Sequence, residues 1–377
     1  MLDFKQKAIE ILKQADIQIN GNRPWDIKVY NENVYERVLR GGTLAFGEAY
    51  MDGWFDIPQL DLFFEKVFNA KLDEKIQPKK LILYYLKSLI FNPQKNKKSS
   101  FKVGEEHYDV GNDLYKIMLD KRMTYSCAYW DRFQNLPPAK NLDEAQEHKL
   151  DMICQKLGLK KGDKILDVGC GWGSFMIYAA EKYGVECTGI TISREQKKYI
   201  DSIKQDLPIE VYLKDYRDIK GKFDHIISIG MFEHVGYKNY KTFMKIMNNC
   251  LKDDGLFLLH TIGSNVSTTK VDPWIEKYIF PNSMLPSLAQ ISKAAEKLFV
   301  IEDIHNIGAH YDKTLMCWYD NFVKGWPKIK DKYSERFYRM WIFYLLSSAA
   351  LFRVRINQVW QIVFSKNGVK GGYKSLR

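Results

Sequence analysis

The sequence predicts an α/β protein: a doubly wound, mostly parallel sheet joined to a small N-terminal α+β domain. Three observations carry that reading. From about Lys149, short apolar runs alternate with segments of helical spacing, the pattern of parallel strands covered by helices on both faces. One of those runs, in "ILDVGCGWGSF" (Ile165–Phe175), passes an acid and then meets glycine at three alternate positions. The first ninety or so residues lack this alternation and mix short strands with helices. At 377 residues the chain exceeds one ordinary domain, which suits a large domain and a small one.

Taken in order, "MLDFKQKAIEILKQADI" predicts an amphipathic helix whose scattered charges exclude a secretory leader. "WDIKVY" reads as a short strand, Val34 to Arg40 as a helix, "GGTLAFGEAYMDGW" as a glycine-rich passage and "LDLFFEKVF" as a helix. "KKLILYYLKSLIF" (Lys79–Phe91) is apolar with a basic edge, and a core helix is favoured over one touching lipid. Residues 1–91 form the expected small domain. The stretch 92–104 carries "NPQKNKKSSFK", with a proline, four lysines and little to bury, and is the expected linker. Residues 105–377 form the expected larger domain.

Within that larger domain "KILDVGC", "VECTGITIS", "IEVYLKDYRDI", "FDHIISIGMFEHVG" and "GLFLLHTIG" are the strands. "SFMIYAAEKYG", closed by Gly184, and "REQKKYIDSIKQ" are intervening helices. Such sheets bind ligands beyond the carboxyl ends of their strands, so the residues just after each strand are the candidate chemistry.

Composition narrows the function. Apolar residues make up 46% of the chain, enough for a substantial core, and the net charge of +11 favours an anionic partner. Six cysteines, without CxxC spacing, read as free thiols in a reducing cytosol and give no zinc site or disulfide framework. "MWIFYLLSSAALF" (Met340–Phe352) is too short to span a bilayer and is closed by Arg353 and Arg355. Any membrane contact is therefore expected from the surface.

The glycine loop is where the chemistry becomes specific. Gly169, Gly171 and Gly173 let the backbone turn tightly and approach a ligand at the start of a helix. A dinucleotide fingerprint needs a last small residue at 174, where Ser174 stands. It also needs an acid at the end of the second strand, which here closes on Thr191 with no carboxylate before Glu195. The spacing Asp167-x-Gly-x-Gly-x-Gly instead looks like the S-adenosylmethionine loop of class I methyltransferases, with a bare structural turn as the alternative. Thr191 and Gln196 are then neutral candidates for a ribose, and Asp215 and Tyr216 stand where an adenine would lie. Tyr216 serves packing equally well. Glu233, His234 and His260 follow the fourth and fifth strands, and each has an ordinary reading as a cap or a core histidine.

The segments "EHYDVGNDLY", "MTYSCAYW", "LDVGCGWG", "GMFEHVG", "LLHTIGS", "VDPWIEKYIFPN" and "GAHYDKTLMCWY" follow one another as in cyclopropane-fatty-acyl-phospholipid synthases, and the chain resembles that family. "GEAYMDGWF" is similar to the family's small domain, and the match runs from about Ile17 to Phe364. The resemblance implies a Rossmann-like methyltransferase sheet. It implies methylene transfer from S-adenosylmethionine to a cis double bond in a phospholipid acyl chain. An alkene is a poor nucleophile, so the sulfonium must be held in line in a dry pocket, where aromatic faces can steady a cation that water would capture. The resemblance further implies a bound bicarbonate as proton acceptor, held by Cys127, Glu233, His260, Ile262 and Tyr311. In that reading the backbone N–H groups of Cys127 and Ile262 join the side chains of the other three. Cofactor-binding positions carried over are Tyr125, Ser126, Asp167, Gly169, Gly171, Gly173, Thr191, Gln196, Asp215 and Tyr216.

One departure concerns Ser348, at a position where the family often has cysteine; it is read as a packing residue. A substrate within a bilayer accounts for the basic charge, with the linker and Lys79–Lys80 as candidate contacts for anionic headgroups. The expected enzyme is cytoplasmic, peripheral to the inner membrane face and homodimeric, with no nucleic-acid partner. Three rival readings are a methyltransferase acting on RNA, a lipid methyltransferase that closes no ring, and a non-catalytic lipid-binding relative. The first lacks an RNA-binding module, since the aromatics cluster with apolar runs and not basic ones.

Overall fold

The computed structural model describes residues 3–72, 111–269 and 271–377. The expected linker and the helix at Lys79–Phe91 lie outside those residues. The strands are β1 (Lys28–Val29), β2 (Phe55–Asp56), β3 (Lys164–Val168), β4 (Glu186–Thr191), β5 (Ile209–Leu213) and β6 (Phe223–Ile229). After them come β7 (Leu251–Ser264), β8 (Val300–Asn306) and β9 (Asn357–Ser365). The helices that matter below are α1 (Phe4–Lys13), α2 (Val34–Met51), α3 (Leu60–Asn69), α4 (Leu142–Leu157), α5 (Ser174–Tyr183), α6 (Arg194–Ile203), α7 (Ala309–Gly325) and α8 (Glu335–Arg353).

The chain divides into two compact units. One gathers Met1–Phe91 with Thr269–Pro281 and Leu315–Asn357; the other takes Asn92–Thr268, Asn282–Thr314 and Gln358–Arg377. Sequence reading keeps both later segments with the sheet. The physical reason for their grouping is α8, whose side chains are buried without interruption from Met340 to Ser347 and need cover on several faces. α2 and α3 supply it. Phe343 of α8 meets Phe64 edge-on at 5.1 Å, while Phe46 stacks on Phe63 at 5.5 Å. Trp274, from one of the two late segments, lies 4.4 Å from Phe343. Around this aromatic centre the arginines of α8 are paired: Arg339 with Asp56 at 2.6 Å and Arg353 with Asp61 at 2.8 Å. α2 starts at Val34 as the sequence suggests but runs on to Met51 through the glycine-rich passage, with a single non-helical residue at Gly42.

The second unit is built on a seven-stranded sheet in the order β5-β4-β3-β6-β7-β9-β8. β5, β4, β3, β6 and β7 pair in parallel, and β8 and β9 pair antiparallel. The five parallel strands are those read from the sequence. β8 and β9 were not, because each mixes polar with apolar residues: "VIEDIHN" is an edge strand, and "NQVWQIVFS" is buried along almost its whole length despite two glutamines. Ile165, Phe175, Ile200, Val211, Ile227 and Leu258 join sheet and helices in one core. Among the described residues no helix is long and apolar enough to cross a membrane.

Candidate active site

The carboxyl ends of β3, β6 and β7 lie side by side, since Asp167 is in register with Ile227 and Ile229 with His260. Beyond β3 the chain enters the glycine loop. Gly169 has φ of 86°, and a Cβ there would fall 2.6 Å from Cγ of Met231. The loop backbone therefore rests directly against the segment that carries Glu233. Gly171, with φ of 52°, has no atom within 4 Å of where its Cβ would point. An open cradle of this kind suits a ligand approached by bare backbone. Beyond β6, Gly230 N–H donates to the carbonyl of His260 at 2.9 Å and ties the Glu233 turn to the end of β7.

Two buried acids stand at these strand ends with an oxygen unpartnered. Asp167 is 2% exposed and its Oδ1 has no hydrogen-bond partner; burial pushes its carboxyl up to about 7, against the opposing pull of Lys149. Glu233 Oε1 accepts the Ile262 N–H at 2.6 Å, while Oε2 is buried without a partner. Burial raises this carboxyl to about 7 as well, opposed by backbone donors such as the Ile262 N–H. A buried polar atom without a partner costs about 1–3 kcal/mol, so two of them together mark a place built for something else to supply the bond. His260, also buried, is held well below its ordinary value by burial and by the charges of Lys149 and Lys156, and is a neutral imidazole at physiological pH.

Cys127 is fully buried, its thiol pushed far up by burial and directed to the carbonyls of Ala128 and Ile307. A thiol in that state is no nucleophile. Its neighbour Ala128 donates to Thr314 Oγ1 at 3.3 Å, which brings this segment against the second turn of α7, three residues on from buried Tyr311. Ser126 Oγ accepts from Lys149 Nζ at 2.8 Å, and the Ser126 carbonyl accepts from Gln146 Nε2 at 2.9 Å. The Tyr125 ring meets Tyr115 edge-on at 5.2 Å.

Several expected positions are already engaged within the chain. Ile262 N–H serves Glu233, so it orders the carboxylate before it can serve an oxyanion. Thr191 Oγ1 donates to Gln196 Oε1 at 2.7 Å and accepts from Ser193 N–H, leaving the Gln196 amide nitrogen as the group outside that pair. Asp215 forms a two-pronged bond with Arg217, 2.7 Å to each of Nε and Nη2, and caps the following turn. Tyr216 packs edge-on against Phe243 at 5.3 Å, which favours its packing reading.

The sequence reading missed α4. Gln146, Lys149, Ile153 and Lys156 fall at three- and four-residue spacing on the inward stripe of that helix, and all are buried. Lys149 is fully buried, lowered to about 8 by burial and held up by Asp120, Cys127 and Asp167. A polar residue recurring on an apolar stripe was the available signal.

Comparison with known proteins fits this geometry. The family model for mycolic acid cyclopropane synthetase matches residues 95–362. The chain is 50% identical to cyclopropane-fatty-acyl-phospholipid synthase of Escherichia coli (strain K12), over 98% of this chain and 95% of that one. It is 34% identical to cyclopropane mycolic acid synthase 2 of Mycobacterium leprae (strain TN), over 73% of this chain and 96% of that one. A crystal structure of a mycolic acid cyclopropane synthase complexed with SAH and CTAB superposes with a TM-score of 0.64 at 32% identity, covering 71% of this chain and 98% of the other. On sequence, fold and site together, the chain belongs to the mycolic acid cyclopropane synthetase family.

Proposed function

We propose that the protein transfers a methylene group from S-adenosylmethionine to the cis double bond of an unsaturated acyl chain in membrane phospholipid, forming a cyclopropane ring. The observation that carries the reading is Glu233: a buried, unpartnered carboxyl oxygen beside a glycine cradle and a neutral histidine. The residues present fit the co-substrate. Asp167 Oδ1 lacks a partner, the backbone at Gly171 is open, and the Gln196 side-chain nitrogen stands outside the Thr191 pair. S-adenosylmethionine, when bound, supplies an electrophilic methyl group.

The rest falls to the protein. The crevice keeps water from an acyl chain that becomes positively charged when its alkene carbon gains the methyl. Aromatic rings buried near the strand ends, Trp172 of the glycine loop and Phe232 beside Glu233 in sequence, are suited to such an apolar surrounding. One proton must then leave the new methyl as the second carbon–carbon bond closes the ring. Bicarbonate would supply the acceptor. His260, Tyr311 and the Cys127 N–H would donate to it, and Glu233 Oε2 would receive its O–H. Ile262 acts in this scheme through Glu233, which its N–H fixes. Ser348, half-buried on α8, takes no part.

The same proposal places a cytoplasmic homodimer at the inner membrane face, with basic residues of the 92–104 stretch meeting anionic headgroups; the net charge of +11 supports the contact. The test uses S-adenosylmethionine carrying a CD3 methyl, with unsaturated phospholipid vesicles and with RNA, read by mass spectrometry. Ring closure leaves two deuteriums on the lipid. Three retained deuteriums would make it a methyltransferase without ring closure, and label on RNA alone would overturn the lipid assignment.

A further inference from the structure

Behind His260 lies a second group of polar side chains, buried or half-buried, that the reaction does not touch. His260 on β7, Gln361 on β9 and His305 on β8 stand on three adjacent strands, and His305 and Gln361 are direct cross-strand partners. Lys156 reaches in from α4. Its Nζ donates to Gln361 Oε1 at 2.8 Å and meets His305 Nδ1 at 2.9 Å, and Gln361 Nε2 lies 3.4 Å from His260 Nδ1. Lys156 is 1% exposed and Gln361 not at all. Burying a lysine at such a place is costly unless its donors are used, and here two of them have named acceptors.

We propose that Lys156 and Gln361 are positioning residues that lock His260 in the tautomer with its proton on Nε2. The chemistry is directional. Burial lowers Lys156 to about 7, and in its charged form the ammonium only donates, so the amide oxygen of Gln361 must then face Lys156 and its NH2 must face His260. An NH2 also only donates, so Nδ1 of His260 must be the acceptor. The ring proton is then on Nε2, the nitrogen left for the crevice, and His260 presents a donor there. This rests on the reading of His260 as a donor to the bound oxyanion. Without the lock a neutral imidazole could turn an acceptor toward that anion and repel it.

The test is side-chain ¹⁵N NMR of the histidine-labelled protein, with the His260 signals identified by their loss in His260→Asn. The wild type is expected to show a protonated Nε2 and a bare Nδ1. Gln361→Glu should reverse this, because a carboxylate between Lys156 and His260 can only accept, and Nδ1 must then carry the proton. Methylene transfer should fall by about tenfold or more in kcat, with affinity for S-adenosylmethionine in calorimetry within about twofold. A protonated Nδ1 in the wild type overturns the proposal without any variant, and so does an unchanged tautomer in Gln361→Glu. If the tautomer reverses while kcat holds, the lock stands, and the donor role of His260 is what fails.

Discussion

Asp26 and Asp167 are both buried aspartates, 0% and 2% exposed, and they are opposite in every other respect. Asp26, in the first unit, accepts four hydrogen bonds: Gln18 N–H and Arg23 Nη2 on one oxygen, Arg23 N–H and Nε on the other, all between 2.8 and 3.0 Å. Burial alone would raise its carboxyl, but Arg23 and the backbone donors outweigh it and hold the group below its ordinary value. Asp167, in the sheet unit, has one oxygen without a partner and is raised to about 7. The first unit completes its own charges, as Arg339, Arg353 and Asp26 all show. The sheet unit leaves two acids incomplete at its strand ends, Asp167 and Glu233. Completed charges hold a fold together, and an incomplete one signals a missing ligand or reacting group.

The largest break in that contrast is at Glu233. Glu233→Ala should lower methylene transfer by about a thousandfold or more, measured as cyclopropane product by mass spectrometry, whereas Ser348→Ala keeps most of the rate. Equal residual rates in the two variants would dissolve the distinction between an incomplete acid and a packing residue.

Asp167→Asn comes next. Losing a charged hydrogen-bond acceptor should weaken S-adenosylmethionine binding by about 10–100-fold in calorimetry. The ligand-free protein should melt no lower than wild type, because the variant removes a desolvated carboxyl that nothing pairs. An early melt with normal binding would make Asp167 structural.

Asp26→Ala should show the reverse. Its melting temperature falls by about 5 °C or more, since Arg23 and two N–H groups lose their acceptor, while affinity for S-adenosylmethionine stays at the wild-type value. A binding defect with no change in melting would exchange the roles of the two aspartates.

The smallest effect is on pH dependence. Asp167 and Glu233 hold their protons more tightly folded than unfolded, so these two sites carry more protons in the folded state from about pH 4 to 7. Their contribution to stability is therefore present at low pH and falls as pH rises through that window. Asp26 works the other way, contributing above its unfolded pKa and losing that contribution in acid. Buried His260 and Lys156, lowered by burial, pull the other way in both proteins, so the expected result is a difference: from about pH 5 to 8 the ligand-free Asp167→Asn variant should gain a few degrees in melting temperature relative to wild type. An identical slope in both would remove Asp167 from the account.

Local sequence was enough for the five parallel strands, the glycine loop and the acids after them, because each depends on short-range pattern: apolar runs, positive φ at glycine, and the switch to helical spacing. It also gave the order of motifs that the resemblance rests on. Tertiary structure alone decided which of the expected groups remain available. Thr191 turned to Gln196, Asp215 to Arg217 and Ile262 to Glu233, pairings that depend on side-chain reach in the folded state and not on spacing. The same holds for Lys149, Lys156 and Gln361, which read as ordinary polar residues until α4 and β9 bring them beside Ser126 and His260. Hydrogen bonds between residues 23 to 205 positions apart leave no periodicity in the chain, so only the fold could place those partners.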